Sequence, residues 1–359
     1  MPKKNDTLRK ADKNKNDEFY TQYEDIQREV NAYLEFNPDT FRDKTVLLPC
    51  DDPEWSNFTK FFAQNFENLG LKKLISTSYA TDSKNENTQG YQLSLFDFLT
   101  DYEKESPQYD ESISSKKGKI FTLTKGVDKS KNIDIDDLEW SYLEGDGDFR
   151  SDEVIKLRNE ADIIVTNPPF SLFREFVSWI MEADKKCLII GNVNCISYKE
   201  IFPLLKDNKL WTGCRFNERV NGKIMTFQVP DSYPMTGSEI EIDSDGKKYV
   251  SVAGTGWYTN LEHGRRHQPI PLSKHKEIIE DGYVKFDHYD AINIPYTDSI
   301  PNDYDGLMGV PISFMKYYCP EQFEIIDGIG RYSVINNEET RKAGKYLSMV
   351  NGKAKFFRI

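Results

Sequence analysis

Apolar residues fall at helical spacing after residue 54, where Phe58, Phe61, Phe62, Phe66 and Leu69 share one face. Short apolar runs flank them at Thr45–Leu48 and Lys73–Tyr79, each the length of a buried strand. Strand, helix and strand in that order predict a parallel, right-handed β-α-β unit. Its helix spans Glu54–Leu69, with Gly70 as the C-cap. The same texture returns downstream: a helix over Asp152–Asn159, a β-branched strand at Ile163–Val165, a helix over Ser171–Ala183, a strand at Cys187–Gly191 and a helix over Tyr198–Lys206. Upstream, Tyr23, Ile26, Val30 and Leu34 predict a helix over Tyr23–Leu34. Leu138–Leu143, Leu210–Gly213, Lys223–Phe227 and Val250–Tyr258 read as further ordered or strand-like pieces. Such alternation predicts an α/β fold with a doubly wound, Rossmann-like sheet, mostly parallel with an antiparallel edge strand.

Polar stretches interrupt this pattern and set the expected organisation. Residues 1–16 are rich in Lys, Asn and Asp and read as a flexible tail. Residues 80–135 are rich in Ser, Asn, Asp and Lys and read as a surface insertion. From about 259 the chain turns to short apolar pieces broken by Pro, Gly, Asn and Asp. Near its end, Arg331, Arg341, Lys342, Lys345, Lys353, Lys355 and Arg358 face only Glu338 and Glu339. A solvated tail and a phosphate-facing surface both fit that bias.

Composition narrows the classes. At 359 residues, 38% of them hydrophobic, the chain can bury a sizeable core. It contains no run near the roughly 18 apolar residues of a membrane span. Residues 1–17 lack the apolar centre of a secretory signal. Cys50, Cys187, Cys195, Cys214 and Cys319 are odd in number and scattered, which predicts reduced thiols in a cytoplasmic protein and no metal site. A net charge of −12 argues against broad affinity for nucleic acid while leaving room for a local basic face. Arg265, Arg266 and His267 form one compact basic cluster, expected near phosphate or bases or else in a solvated loop.

Candidate chemistry gathers at strand ends. In open α/β sheets ligands bind outside the carboxyl ends of the strands. Pro49-Cys50-Asp51-Asp52 follows the first strand without the glycines of a pyrophosphate loop. Its carboxylates suit a cationic amino or sulfonium ligand, or simply cap the next helix. Ser76–Tyr79 ends the second strand, and Gly145-Asp146-Gly147-Asp148-Phe149 sets a carboxylate beside an aromatic ring. Asn167-Pro168-Pro169-Phe170 follows the third strand. Two prolines fix their own φ and push the preceding residues toward extended backbone. The loop is therefore stiff, and it holds an amide, a free carbonyl and an aromatic ring that suit a planar group bearing an amino function.

Asn167-Pro168-Pro169-Phe170 resembles the catalytic motif of S-adenosylmethionine-dependent methyltransferases acting on adenine N6 in DNA, and Phe19-Tyr20-Thr21 resembles their upstream cofactor motif. A closer resemblance is to the EcoRI-type adenine-specific DNA methyltransferases. It runs through Cys50–Pro53 with Ser56–Phe58, Leu69–Ile75, Glu144–Phe149, Trp257–Leu261, Tyr289–Asn293, Met308–Ile312 and Gln322–Ile325. The chain departs from most methyltransferases in carrying Pro-Cys-Asp-Asp-Pro in place of a glycine-rich cofactor loop. The resemblance implies a catalytic domain over 17–258 and a C-terminal DNA target-recognition region over 259–359. It implies S-adenosyl-L-methionine as cofactor, with Phe19, Tyr20, Thr21, Cys50, Asp51, Tyr79, Asp148 and Phe149 around it. Asn167, Pro168, Pro169 and Phe170 become the catalytic set, and Arg265, Arg266, His267, Arg341 and Lys342 the DNA-facing cations. The partner is double-stranded DNA, met by a monomer, with a cognate restriction endonuclease acting on the same site without direct contact. Methylation of an RNA base, and a silent nucleic-acid-binding protein on the same scaffold, are the competing readings.

Overall fold

A computed structural model describes residues 20–80, 110–114, 116–126, 139–217, 225–229, 240–244, 246–252, 254–272, 284–329, 348–351, 353–354 and 358–359. Phe19, Arg341 and Lys342, the tail over 1–16 and most of the basic terminal stretch lie outside these residues. In chain order the strands are β1 (Tyr20–Thr21), β2 (Thr45–Leu48), β3 (Lys73–Thr77), β4 (Lys119–Thr124), β5 (Ser141–Tyr142), β6 (Ile163–Thr166), β7 (Lys186–Asn192), β8 (Trp211–Phe216), β9 (Thr226–Val229), β10 (Ile240–Ile242), β11 (Lys248–Ser251) and β12 (Thr255–Thr259). The principal helices are α1 (Tyr23–Phe36), α2 (Asn57–Gln64), α3 (Phe66–Leu69), α4 (Asp152–Glu160), α5 (Phe173–Glu182) and α6 (Phe202–Lys206).

The chain divides into two compact units, Met1–Asn192 with Asn217–Leu261, and Val193–Phe216 with Glu262–Ile359. In the first, the strand order is β5-β4-β3-β2-β6-β7-β12. Its centre, β3-β2-β6-β7, is parallel, with Val46 beside Leu74 on one side and Ile163 on the other. β4 and β5 run antiparallel on one flank and β12 on the other. The chain passes from β2 outward to β3, then crosses back to lay β6 on the other side of β2. That reversal makes the β2/β6 boundary the topological switch point, where such sheets open a crevice at their carboxyl ends. All four residues of β2 and of β6 are buried, as strands covered on both faces require. A second sheet, β1-β9-β11-β10, belongs to the same unit.

Several elements differ from the sequence pattern for identifiable reasons. The phenylalanine-rich helix starts at Asn57, capped by Ser56, and breaks at Asn65. The Asn65 side-chain amide bonds the Phe61 carbonyl at 2.9 Å, competing with the backbone ladder. Residues 198–206 form α-helix only from Phe202, with Pro203 in the first turn, because proline is tolerated there and not in a helix interior. Val250–Tyr258 is two strands in two sheets, separated at Gly254, whose φ is +82°. Within the polar segment read as a surface insertion, Lys119–Thr124 supplies β4 to the main sheet. Antiparallel strands flank the parallel centre on both sides, where one edge strand was expected.

The second unit is built from β8, α6 and short 3-10 turns at Val193–Ser197, Gly264–His267 and Ile312–Tyr317. Phe286, Ala291, Ile329 and Val350 form one of its buried clusters. Among the described residues, no helix is long and apolar enough to cross a membrane, no group of acidic, His and Cys side chains could hold a metal ion, and no disulfide joins the five cysteines.

Candidate active site

Three strand ends and one helix start converge at the switch point. β2 ends into Cys50-Asp51-Asp52, β3 into Ser78-Tyr79, and β6 into Asn167, while Ser56 opens α2. A buried polar network binds them together. The Asp51 carboxylate accepts from Ser56 Oγ at 2.6 Å and from Thr166 Oγ1 at 2.6 Å. Its backbone N–H bonds the Thr77 carbonyl at 3.0 Å, and its carbonyl accepts from Ser76 Oγ at 2.5 Å. Ser76 Oγ in turn lies 2.6 Å from Thr59 Oγ1 on α2. Asp51, Ser56, Thr59, Ser76, Thr77 and Thr166 are all buried. Burial pushes the Asp51 carboxyl up to about 7, and Asp52 adds to it, against the two hydroxyl bonds that favour the ionised form.

Asp52 turns away from that network. Its Oδ1 accepts the Glu54 N–H at 2.9 Å, and its Oδ2 lies 3.2 Å from Lys119 Nζ. Lys119, 3% exposed on β4, also meets Glu54 at 2.6 Å and sits 4.8 Å from the centre of the Trp140 ring. A buried ammonium needs such partners to offset lost hydration.

The loop after β5 is clamped onto the end of β3. Ala80 N–H bonds the Asp146 carbonyl at 2.6 Å, and Gly118 N–H bonds the Gly145 carbonyl at 3.0 Å. Gly147 has φ +82°, and a Cβ there would stand 2.1 Å from the Ser78 carbonyl oxygen. Only glycine permits both that conformation and that approach. Asp148 is held by Arg150, whose Nε and Nη2 reach its two oxygens at 2.9 and 2.6 Å. Burial pushes the Asp148 carboxyl up, but the Arg150 bonds outweigh it and hold the group below its usual range. Phe149 is buried edge-on against Phe176 and Trp179 of α5, at 5.2 and 5.6 Å between ring centres.

The Asn167-Pro-Pro-Phe loop leaves β6 directly. Pro168 is buried, whereas Asn167, Pro169 and Phe170 keep partial exposure; the Asn167 side-chain oxygen is itself buried. With no N–H on either proline, the backbone re-enters helix through a 3-10 turn at Phe170–Leu172, where Leu172 N–H bonds the Pro169 carbonyl at 3.0 Å. Helix α5 follows.

Thr21 in β1 reaches the same region, since its carbonyl accepts from Asn57 Nδ2, in the first turn of α2, at 2.8 Å. Its Oγ1 is buried with no hydrogen-bond partner among the described residues. An orphaned buried hydroxyl needs an explanation, and a bound ligand is one.

The fold thus brings Thr21, Cys50, Asp51, Tyr79, Asp148, Phe149 and Asn167–Phe170 into one unit, with the loops after β2, β3, β5 and β6 on one rim of its main sheet and Thr21 in its second sheet. Tyr20 is placed in β1 beside Gln228. Arg265, Arg266 and His267 belong to the other unit and have partners there. Arg265 bonds the Cys214 carbonyl. Arg266 is buried, with its guanidinium 3.9 Å from the centre of the Trp211 ring. His267 lies between Glu321 at 2.7 Å and Glu262 at 3.1 Å. Sequence reasoning missed Ser56, Thr166 and Lys119. Ser56 stands at a readable N-cap position before an apolar helix, whereas nothing in the sequence ties Thr166 to an acid 115 positions away.

The family described as "Adenine-specific methyltransferase EcoRI" matches residues 7–359. The Type II methyltransferase M.EcoRI of Escherichia coli is 44% identical over 357 residues, 99% of this chain and 95% of that protein. Type II methyltransferases of Mycoplasma genitalium and Mycoplasma pneumoniae are 34% and 32% identical, each aligned over 98% of this chain and 96% of its own length. No solved structure matches the chain.

Proposed function

We propose that this chain, which belongs to the adenine-specific EcoRI methyltransferase family, transfers a methyl group from S-adenosyl-L-methionine to N6 of an adenine in a specific double-stranded DNA sequence. One observation carries the reading: Asn167-Pro168-Pro169-Phe170 leaves β6 at the switch point of the sheet. Ligands in this architecture sit in that crevice, and the prolines hold the amide and carbonyl of the loop in place.

An adenine stacked in duplex DNA is out of reach, so it must be extruded into the pocket, which costs a few kcal/mol. Phe170 offers an aromatic face for the extruded ring. Asn167 Oδ1 and the Pro168 carbonyl accept hydrogen bonds from the two N6 hydrogens. Those bonds draw the nitrogen lone pair out of conjugation and aim it along one direction. Positioning of this kind is the chain's main catalytic contribution.

The residues fit a sulfonium donor. The loop after β2 lacks the glycines that a pyrophosphate ligand would need, and Thr21 offers an orphaned buried hydroxyl nearby. Thr21, Cys50, Tyr79, Asp148 and Phe149, with Phe19 and Tyr20 from the upstream motif, would hold it; Asp51, which the resemblance sets beside the cofactor, has both carboxyl oxygens taken up by Ser56 and Thr166. When bound, the donor supplies an electrophilic methyl group on a good leaving group.

Residues 259–359 would carry target recognition, with Arg265, His267, Arg341 and Lys342 as the cations proposed to meet phosphate. Arg266, stacked on Trp211, would brace that surface from within. The cognate endonuclease and the monomeric, cytoplasmic state remain part of this proposal. Incubation with methyl-labelled donor and either duplex DNA or RNA tests the reading. Label in DNA is expected; label confined to RNA, or absent from both, removes it.

A further inference from the structure

We propose that Asp51 is a positioning residue for methyl transfer: its carboxylate, bridging the Ser56 and Thr166 hydroxyls, fixes where Asn167 enters the crevice between β2 and β6. This rests on the reading of Asn167 given above.

The geometry assigns a different task to each end of the bridge. On one side, Ser56 Oγ donates to Asp51 Oδ1 while accepting the Phe58 N–H at 3.0 Å as the cap of α2. On the other, Thr166 Oγ1 donates to Asp51 Oδ2, one residue before Asn167. The prolines restrain Asn167 itself and the chain beyond it; the Thr166 bond restrains the residue before it. Asp51 is a firm anchor because its own backbone is tied to β3 through Thr77 and Ser76. The bond also spans the switch point, where β2 and β6 are adjacent.

A carboxylate is an expensive group to bury for packing alone, and such groups are kept where they fix a register. Burial pushes Asp51 well above its ordinary range, to about 7. Ionised, it accepts from both hydroxyls; protonated, it must donate through one oxygen, so one hydrogen bond reverses. The charged groups facing it are Asp52 beside it and, beyond that, Lys119 and Glu54, which Asp52 and Lys119 bring together. Acids in place of a glycine loop after β2 thus acquire a mechanical role: Asp51 couples the start of α2 to the loop that presents Asn167.

The test compares Thr166→Val, Thr166→Ser and Asp51→Asn with the wild type. It reads kcat and KM on duplex DNA, the donor Kd by calorimetry, and hydrogen exchange of the segment 163–172. For Thr166→Val, kcat is expected to fall at least tenfold, with donor Kd within twofold and faster exchange of the Asn167 loop. Thr166→Ser keeps the hydroxyl and is expected within threefold of wild type. Equal loss in the Ser and Val variants, or unchanged kcat and exchange in Thr166→Val, would overturn the proposal. So would a donor Kd that weakens in Asp51→Asn in step with kcat, since Asp51 would then hold the donor itself. If Thr166→Val fails to fold, the Ser and Asn variants decide. A wild type silent on all DNA removes the methyl-transfer reading, and exchange in Thr166→Val still tests the bridge.

Discussion

Thr166 Oγ1 donates to Asp51 Oδ2 at 2.6 Å, joining the loops after β2 and β6 across the switch point of the sheet. Every residue of the surrounding network is buried, so the bond is shielded from water and stronger than the same bond on a surface. It places a carboxylate of raised pKa beside the loop that carries the proposed chemistry.

Asp51 makes stability depend on pH. Its folded pKa, about 7 against an ordinary 3.8, means the folded state holds a proton that the unfolded chain releases between those values. Stability therefore falls as pH rises through that window, by up to about 1.4 kcal/mol per unit. Asp51→Asn lacks this slope. Urea unfolding of both proteins from pH 5 to 8 should show the Asn variant gaining on wild type as pH rises, with a constant difference above about 8. A difference that is flat across the window contradicts the burial account.

Asn167→Ala is expected to lose methyl transfer by a hundredfold or more, in the range seen when one aimed hydrogen-bonding group is removed. Its donor Kd and thermal midpoint should match wild type. Turnover within tenfold of wild type would exclude Asn167 from the catalytic set.

Phe170→Ala removes the proposed stacking face. Base–aromatic stacking contributes about 1–3 kcal/mol, so kcat/KM should fall roughly 5- to 150-fold, while Phe170→Trp should stay near wild type. A 2-aminopurine placed at the target adenine should report less stable extrusion in the Ala variant. Unchanged kcat/KM in Phe170→Ala would place the ring outside the base pocket.

Gly147→Ala forces a Cβ to within 2.1 Å of the Ser78 carbonyl at φ +82°. The loop must withdraw from β3, with a strain of about 1–3 kcal/mol. A lowered thermal midpoint and weaker donor binding, without loss of the sheet's circular dichroism, are expected. Normal donor affinity would separate this loop from the cofactor site.

Lys119→Met leaves Asp52 and Glu54 facing each other without their shared cation. Breaking a buried pair from one side destabilises by about 3–5 kcal/mol. Adding Glu54→Gln to Lys119→Met should recover part of that loss in a denaturant titration; additive losses would mean that the three side chains do not act as one group.

Much of the parallel centre was legible because a short apolar run at Thr45–Leu48 and a β-branched run at Ile163–Val165 alternate with amphipathic helices, a local signal. Asn167–Phe170 was legible for the same reason: proline acts on its immediate neighbours. What escaped was long-range. Lys119–Thr124 lies in a Ser- and Lys-rich segment without strict alternation, yet it is recruited by β3 through pairing that no local pattern encodes. Val250–Tyr258 reads as one strand until Gly254 turns it into another sheet. Arg265–His267 looks like a free basic patch in sequence, while the folded chain gives each side chain a partner from distant positions such as Trp211 and Glu321. The partners of Asp51 belong to this class as well, because its five-residue link to Ser56 is visible and its link to Thr166 is not.

Mapping N6-methyladenine in the DNA of cells that express the wild-type chain or Asn167→Ala tests the central claim most directly. The account predicts N6-methyladenine confined to one recurring sequence with the wild type and absent with the variant. Methylation that persists in Asn167→Ala, or wild-type DNA without N6-methyladenine, would contradict it.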